Sequence, residues 1–268
     1  MLLACKCLGQ NVEQTLSLAN SLFEMQQYEA ALKHYHRVAF FGDDKQQAYA
    51  FPAIGQCYFE AAQYEKSIFY YELASNAATC DSLASEYLFA KVLCHFLLDN
   101  YDFALQDLYS FHRFESQYFS NRYHFYHAII SLKKNSPDTA LVHFLNATYD
   151  SSQQQALVHA FRKARLNRPN PKTAMVLSIL VPGLGQFYAG DYRNAANSFL
   201  LNSILFALSY SITLRNSLAD ALMSTIPWLQ RYYMGGFTNA ELIALARKNA
   251  KRNQLLLQAI SIMDGSLQ

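Results

Sequence analysis

The chain has 268 residues, of which 52% are hydrophobic, 15% aromatic and only 16% charged. That composition excludes an intrinsically disordered chain, and with 9 Gly and 6 Pro it excludes a collagen-like or linker sequence. A net charge of +2 conceals an asymmetry: residues 1–160 hold 10 Lys/Arg against 16 Asp/Glu, whereas 161–268 hold 12 against 4, so the halves differ as −6 and +8. The length suits one large domain or two modest ones.

The first ten residues, Met1-Leu-Leu-Ala-Cys-Lys-Cys-Leu-Gly-Gln, read like the tail of a secretory signal, with Cys7 and Gly9 preceding a cut before Gln10. They lack a charged leading region and a full apolar core; a start codon assigned too late would account for this. Leu2-Leu-Ala-Cys5 loosely resembles a lipoprotein box.

From there to the middle of the chain the pattern is helical. Residues 56–181 contain no Gly, and their only Pro are Pro137, Pro169 and Pro171. Apolar residues recur three and four apart, as in Tyr64, Ile68 and Tyr71. The segment Gln27-Tyr-Glu-Ala-Ala-Leu returns as Gln63-Tyr-Glu-Lys-Ser-Ile, as Asn100-Tyr-Asp-Phe-Ala-Leu and, more weakly, as Ser136-Pro-Asp-Thr-Ala-Leu. Its anchors Tyr28, Tyr64, Tyr101 and Pro137 lie 36, 37 and 36 residues apart. This period and pattern resemble the tetratricopeptide repeat, a helix–turn–helix unit, with copies near 12–45, 48–81, 85–118 and 121–151. The small residue of the second helix is Ala31, Ser67, Ala104 or Ala140; the Gly of the first helix is kept as Gly55 and replaced by Ala19, Val92 and Ala128.

The resemblance implies an all-α solenoid of about four helix pairs whose groove is lined by the first helix of each pair. Transferred position by position, the partner-binding groove comprises Asn20, Phe23 and Glu24, then Gln56, Phe59 and Glu60, then Leu93, Phe96 and Leu97, with Ile129, Leu132 and Lys133 from the fourth copy. It would receive a protein or peptide; the competing reading is that the three Phe simply pack between helices. The basic residues that grip a terminal carboxylate in some chaperone-binding members are missing.

Residues 152–168 read as a capping helix, and Asn167-Arg-Pro-Asn-Pro-Lys as the boundary between a repeat domain, 11–168, and a membrane-associated domain, 169–268. No charge occurs over 173–190 or over 194–214, which predicts two membrane-length helices, the second with the better span signal and the first interrupted by Pro182, Gly183 and Gly185. A third, weaker segment, 216–236, contains Asp220, Pro227 and Arg231 and could instead lie at an interface, where Trp228, Tyr232 and Tyr233 are comfortable. A basic helix closes the chain.

The motif Pro182-Gly-Leu-Gly-Gln-Phe-Tyr-Ala-Gly resembles the signature of small bacterial two-span hairpin domains of largely unknown function. That resemblance implies close backbone approach at Gly183, Gly185 and Gly190 and inward-facing polar groups at Gln186, Asn197 and Asn202, with Tyr188 completing the motif. A dinucleotide fingerprint is excluded by the spacing of the glycines and by their apolar helical context.

Arg162, Lys163, Arg165, Arg168 and Lys172 precede the apolar segments, and Arg247, Lys248, Lys251 and Arg252 follow them. Their place beside apolar spans points to lipid headgroups rather than nucleic acid. The positive-inside rule puts both flanks in the cytoplasm, whereas the leader-like N-terminus puts the repeats in the periplasm; the expectation adopted is an inner-membrane protein with periplasmic repeats.

No zinc spacing, disulfide framework, Walker loop, G-x-S-x-G or H-E-x-x-H occurs. Cys57 and Cys94 occupy equivalent repeat positions and read as packing residues, and His124 and His127 as a solvated face. The expected function is a membrane-anchored, non-catalytic interaction scaffold of the bacterial envelope, without cofactor, metal or small-molecule substrate. The alternative makes the hairpin the working part of a transport or insertion complex.

Overall fold

Thirteen helices and no strands make up the described part of the protein, residues 11–111 and 116–264 of a computed structural model. The leader-like residues 1–10 lie outside it. The chain divides between Tyr149 and Asp150 into two compact units.

In the first unit, α1 (Val12–Glu24) pairs with α2 (Tyr28–Phe41), α3 (Asp44–Glu60) with α4 (Tyr64–Asn76), α5 (Asp81–Leu97) with α6 (Tyr101–Tyr109), and α7 (Gln117–Lys133) with α8 (Pro137–Asn146). Each helix packs on the next in sequence. Side-chain caps start two of them: Asn11 accepts from the Glu13 N–H at 3.0 Å, and Asp43 and Gln46 form a reciprocal capping box.

Every pair closes through the same turn. Gln26, Ala62, Asp99 and Asn135 are left-handed, with φ of 60°, 54°, 57° and 65°. The residue after each donates its N–H back five positions, from Gln27 to Leu22, Gln63 to Tyr58, Asn100 to His95 and Ser136 to Ser131, at 2.8–2.9 Å. This is the six-to-one bond of a Schellman turn, which satisfies carbonyls that the helix end leaves open. An aromatic pair locks three of the turns: Phe23–Tyr28, Phe59–Tyr64 and Phe96–Tyr101 meet edge-on or tilted at centroid separations of 5.5, 5.6 and 5.7 Å. The small positions Ala31, Ser67, Ala104 and Ala140 are completely buried, as are Ala19, Val92 and Ala128 on the first helices. At Gly55, the remaining member of that series, an added Cβ would stand 3.1 Å from the Tyr71 ring.

The second unit contains α9 (Ser151–Ala164), α10 (Pro171–Leu180), α11 (Leu184–Tyr188), α12 (Tyr192–Arg215) and α13 (Leu218–Asp264). Helix α9 was expected to cap the repeats, with the boundary after 168. It belongs instead to the second unit, because it docks on the end of α13: Gln153 donates to the Ile262 carbonyl at 3.1 Å, and Leu157, Leu255 and Ala259 are buried.

The expected span 173–190 is broken. Val181, ahead of Pro182, is extended, and Gly183 is left-handed at φ 92°, so α10 stops after ten residues, about 15 Å of rise. The short α11 then comes back: the Tyr188 hydroxyl accepts from the Asn170 N–H at 3.2 Å, at the foot of α10. The pair is a tight helical hairpin. Of the described helices, α12 alone is long and apolar enough to cross a membrane, with a mean hydropathy of 1.3. Segment 216–236 and the closing basic helix prove to be one continuous helix of 47 residues, α13, which packs back along α12 and α10.

The turn from α11 into α12 repeats that of the first unit. Gly190 is left-handed at φ 82°, Asp191 N–H donates to the Gln186 carbonyl at 2.8 Å, and Phe187 meets Tyr192 edge-on at 5.2 Å.

Candidate functional site

The groove residues fall into two sets. Phe23, Phe59 and Phe96 are half-buried and spent on the turn-locking Tyr contacts of their own pairs. Ile129 and Leu132 are core, and Leu93 and Lys133 are half-buried. Asn20 accepts from the Tyr35 hydroxyl at 2.7 Å. Glu24, Gln56 and Glu60 are exposed, as is Leu97. At these transferred positions the exposed side chains are therefore two carboxylates, an amide and one leucine, with no exposed aromatic among them.

The seams between successive pairs carry polar side chains at equivalent positions. Between the first two pairs, His36 lies against Tyr58 and Tyr70, with rings at 6.2 and 5.4 Å. Between the second and third, Lys91 bonds Glu72 and reaches Asp107 at 2.9 Å, and His95 stands 3.4 Å from Asp107. Burial opposes the Lys91 ammonium, but its two carboxylate partners more than offset that and hold its pKa above the ordinary value.

The last seam gathers three imidazoles. His124 Nδ1 and His143 Nδ1 are 2.9 Å apart, and His127 stacks on His143 at a centroid separation of 3.7 Å. His127 also bonds the Tyr109 hydroxyl at 3.2 Å and the Ser131 hydroxyl at 3.1 Å. His124 and His127 were expected on a solvated face; His127 is only 3% exposed, and His143 is the partner the sequence did not reveal. Burial lowers all three pKa values, and His143, further opposed by its two neighbours, falls to about 4. They are neutral at physiological pH. Among the described residues no group of three or more His, Cys, Asp or Glu is arranged to hold a metal ion.

Cys57 and Cys94 are buried, and burial followed by the nearby Glu60 carboxylate pushes the Cys57 thiol up to about 12. Such a thiol is protonated at neutral pH and unsuited to nucleophilic chemistry.

In the second unit the motif residues build a polar network among apolar helices. Gly185 N–H donates to Ser178 Oγ at 3.0 Å, Ser178 donates to Gln186 Oε1 at 2.9 Å, and Gln186 Nε2 donates to the Gly236 carbonyl at 2.7 Å. One glutamine thus ties α10, α11 and α13 together. A Cβ at Gly185 would overlap the Ala174 carbonyl, and one at Gly183 the Ala195 carbonyl, so both positions require the bare backbone. Pro182 lies at the tip of the hairpin, and Tyr188 and Gly190 at its base, where Arg247 donates to the Gly190 carbonyl at 2.9 Å.

Asn202 is 1% exposed and donates to the Ser198 carbonyl at 2.7 Å; its Oδ1 and the Ser198 Oγ are buried without a hydrogen-bond partner. Asn197, expected to face inward with it, is exposed. Five residues on an α-helix turn through about 140° relative to the start, so the two cannot share a face.

The outer surface of this part is apolar: Leu200, Ile204, Leu208, Leu214, Met223, Ile226 and Trp228 are all exposed. Basic groups collect at one end. Lys251 donates to the Arg168 carbonyl at 2.8 Å, close to the start of α10, and Arg247 and Arg193 flank Asp191 at the start of α12. Compared with known proteins, the chain matches no family model, no curated protein and no solved structure.

Proposed function

We propose that this chain is a non-catalytic interaction scaffold of tetratricopeptide type, held in a membrane by its second unit. The observation that carries the proposal is α12: 24 residues with an apolar exterior, only 11% of its most apolar stretch buried inside the protein. Such a surface, on a helix of about 36 Å, fits lipid. Four helix pairs closed by one recurring turn support the repeat reading, and the recurrence at Gly190 extends that turn into the hairpin.

The partner is a protein segment recognised on the first helices of the pairs. With the three Phe engaged in turns, Glu24, Gln56 and Glu60 favour a polar or basic segment rather than an aromatic one. The basic residues gather where α10 begins, where α12 begins and where α13 returns, so positive-inside logic favours a cytoplasmic position for that end and for the chain that enters there. This reverses the periplasmic placement expected from the leader-like residues.

The test is affinity purification of the full chain from membranes, with Glu24→Ala and Glu60→Ala combined. Loss of specific partners supports the scaffold; an unchanged partner set overturns the assigned surface. The second reading, a hairpin that works in transport or insertion, is favoured by the Ser178–Gln186–Gly236 network. It requires that Gln186→Ala and Asn202→Ala abolish a cellular phenotype that deletion of the repeats leaves intact.

A further inference from the structure

We infer that the outer face of α13 around Arg231 receives a carboxylate from a membrane-spanning segment of a different protein. The inference rests on the membrane reading of the second unit. Helices α12 and α13 run antiparallel, and two contacts set their register. Thr225 Oγ1 donates to Ser209 Oγ at 3.2 Å, and Gly236 lies against Ser198, where a Cβ would stand 3.1 Å from Oγ. Eleven residues separate these contacts on each helix, so Arg231 is level with Ser203, the middle of Tyr192–Arg215.

That places a permanently charged guanidinium about 18 Å from either end of the membrane-length helix. Arg231 is exposed, and no carboxylate pairs with it among the described residues. A lone arginine facing lipid at that depth is costly, and lipid phosphates lie too far away for its side chain to reach.

The neighbours of Arg231 fit a helix better than lipid. One turn further on, Gly235 opens onto empty space, with nothing within 4 Å of an added Cβ. Ser224 and Thr238, two turns away on either side, are exposed on the same face, and Trp228 is 52% exposed. Small residues on a helix surface let a second backbone come close, and a polar group there becomes an interhelical contact.

The chain cannot supply the carboxylate from a second copy. After residue 160 its acids are Asp191, Asp220, Glu241 and Asp264. Asp220 and Glu241, the nearest, are 11 and 10 residues from Arg231, about 16 and 15 Å along the axis. Two copies inserted in the same sense sit at equal depth and oppose Arg231 with Arg231.

The experiment reconstitutes the full chain in phospholipid vesicles and titrates two fluorescent Leu/Ala-rich transmembrane peptides, one with a single central Glu and one with Gln there. Energy transfer reads binding at pH 7. The Glu peptide is expected to bind at least ~10-fold more tightly than the Gln peptide. Arg231→Leu is expected to remove that preference and Arg231→Lys to retain it; the Gln peptide's own affinity serves as the check that each variant is folded. Equal binding of the two peptides to the wild type, or a preference that survives Arg231→Leu, overturns the inference. Failure of the chain to resist alkaline extraction from the vesicles overturns the membrane reading itself, and this inference with it.

Discussion

A left-handed residue with a side chain costs about 1 kcal/mol or more relative to glycine, and the first unit uses four such residues at its turns. Asn135 and Asp99 soften that cost with short polar side chains, but Ala62 at φ 54° has no such relief and is exposed. Ala62→Gly is therefore expected to stabilise the protein by about 0.5–1 kcal/mol, read as a rise of ~2–4 °C in the first-unit transition on thermal denaturation of the full chain in detergent. The opposite holds at Gly185, where even a methyl group meets the Ala174 carbonyl. Gly185→Ala is expected to force α11 off α10, breaking the Ser178–Gln186–Gly236 chain and costing about 1–3 kcal/mol. Limited proteolysis would detect it as new cleavage between 181 and 191; an unchanged digest would mean that the hairpin absorbs the extra carbon.

At the scale of elements, the seam of α7 and α8 is a pH-dependent joint. His124, His127 and His143 face one another, Tyr109 from α6, and Tyr123 and Ser131 from α7. Their folded pKa values lie below the ordinary 6.5, so between that value and about 4 the unfolded chain binds more protons than the folded one. Stability is therefore full above 6.5 and falls as the pH is lowered toward 4. For His143 the loss is roughly 1–2 kcal/mol once solvent screening is allowed for. Melting curves of the wild type should show that fall, and His143→Gln should flatten it; an equal slope in the variant would place the pH sensitivity elsewhere. This seam was not legible in the sequence because His143 is 19 residues from His124 and on another helix. The turns were legible, since one local geometry at a constant period leaves Tyr28, Tyr64 and Tyr101 in register. The role of the preceding Phe was not, because an aromatic pair that spans a turn looks in sequence like a groove position and a separate helix start. In the second unit Pro182 and Gly183 announced a break, but the return of α11 to Asn170 depends on a hydrogen bond from a backbone 18 residues away.

For the whole molecule, the unequal charge of the two halves has a structural counterpart. Basic groups are gathered at one end of the second unit, and the remainder of α12 is left apolar and outward-facing. Two environments would leave α12 exposed in this way, and they give opposite signs for one substitution. Ile204 is 62% exposed, near the middle of the helix. In water, Ile204→Asp removes an exposed apolar group; its effect on stability is within about 0.5 kcal/mol and solubility improves. In a bilayer the same change puts a carboxylate against hydrocarbon, at about 2.5–3.5 kcal/mol on insertion scales, and pairing it with Leu208→Asp one turn along roughly doubles that. The expected outcome is that the double variant leaves the alkali-resistant membrane fraction while the wild type stays in it. The first unit, with its own core of Ile54, Phe89, Ile130 and Phe144, should stay folded in both and keep its separate melting transition. A double variant that remains in the membrane fraction, or a wild type that is extracted by alkali, would mean that the exposed face of α12 does not meet lipid.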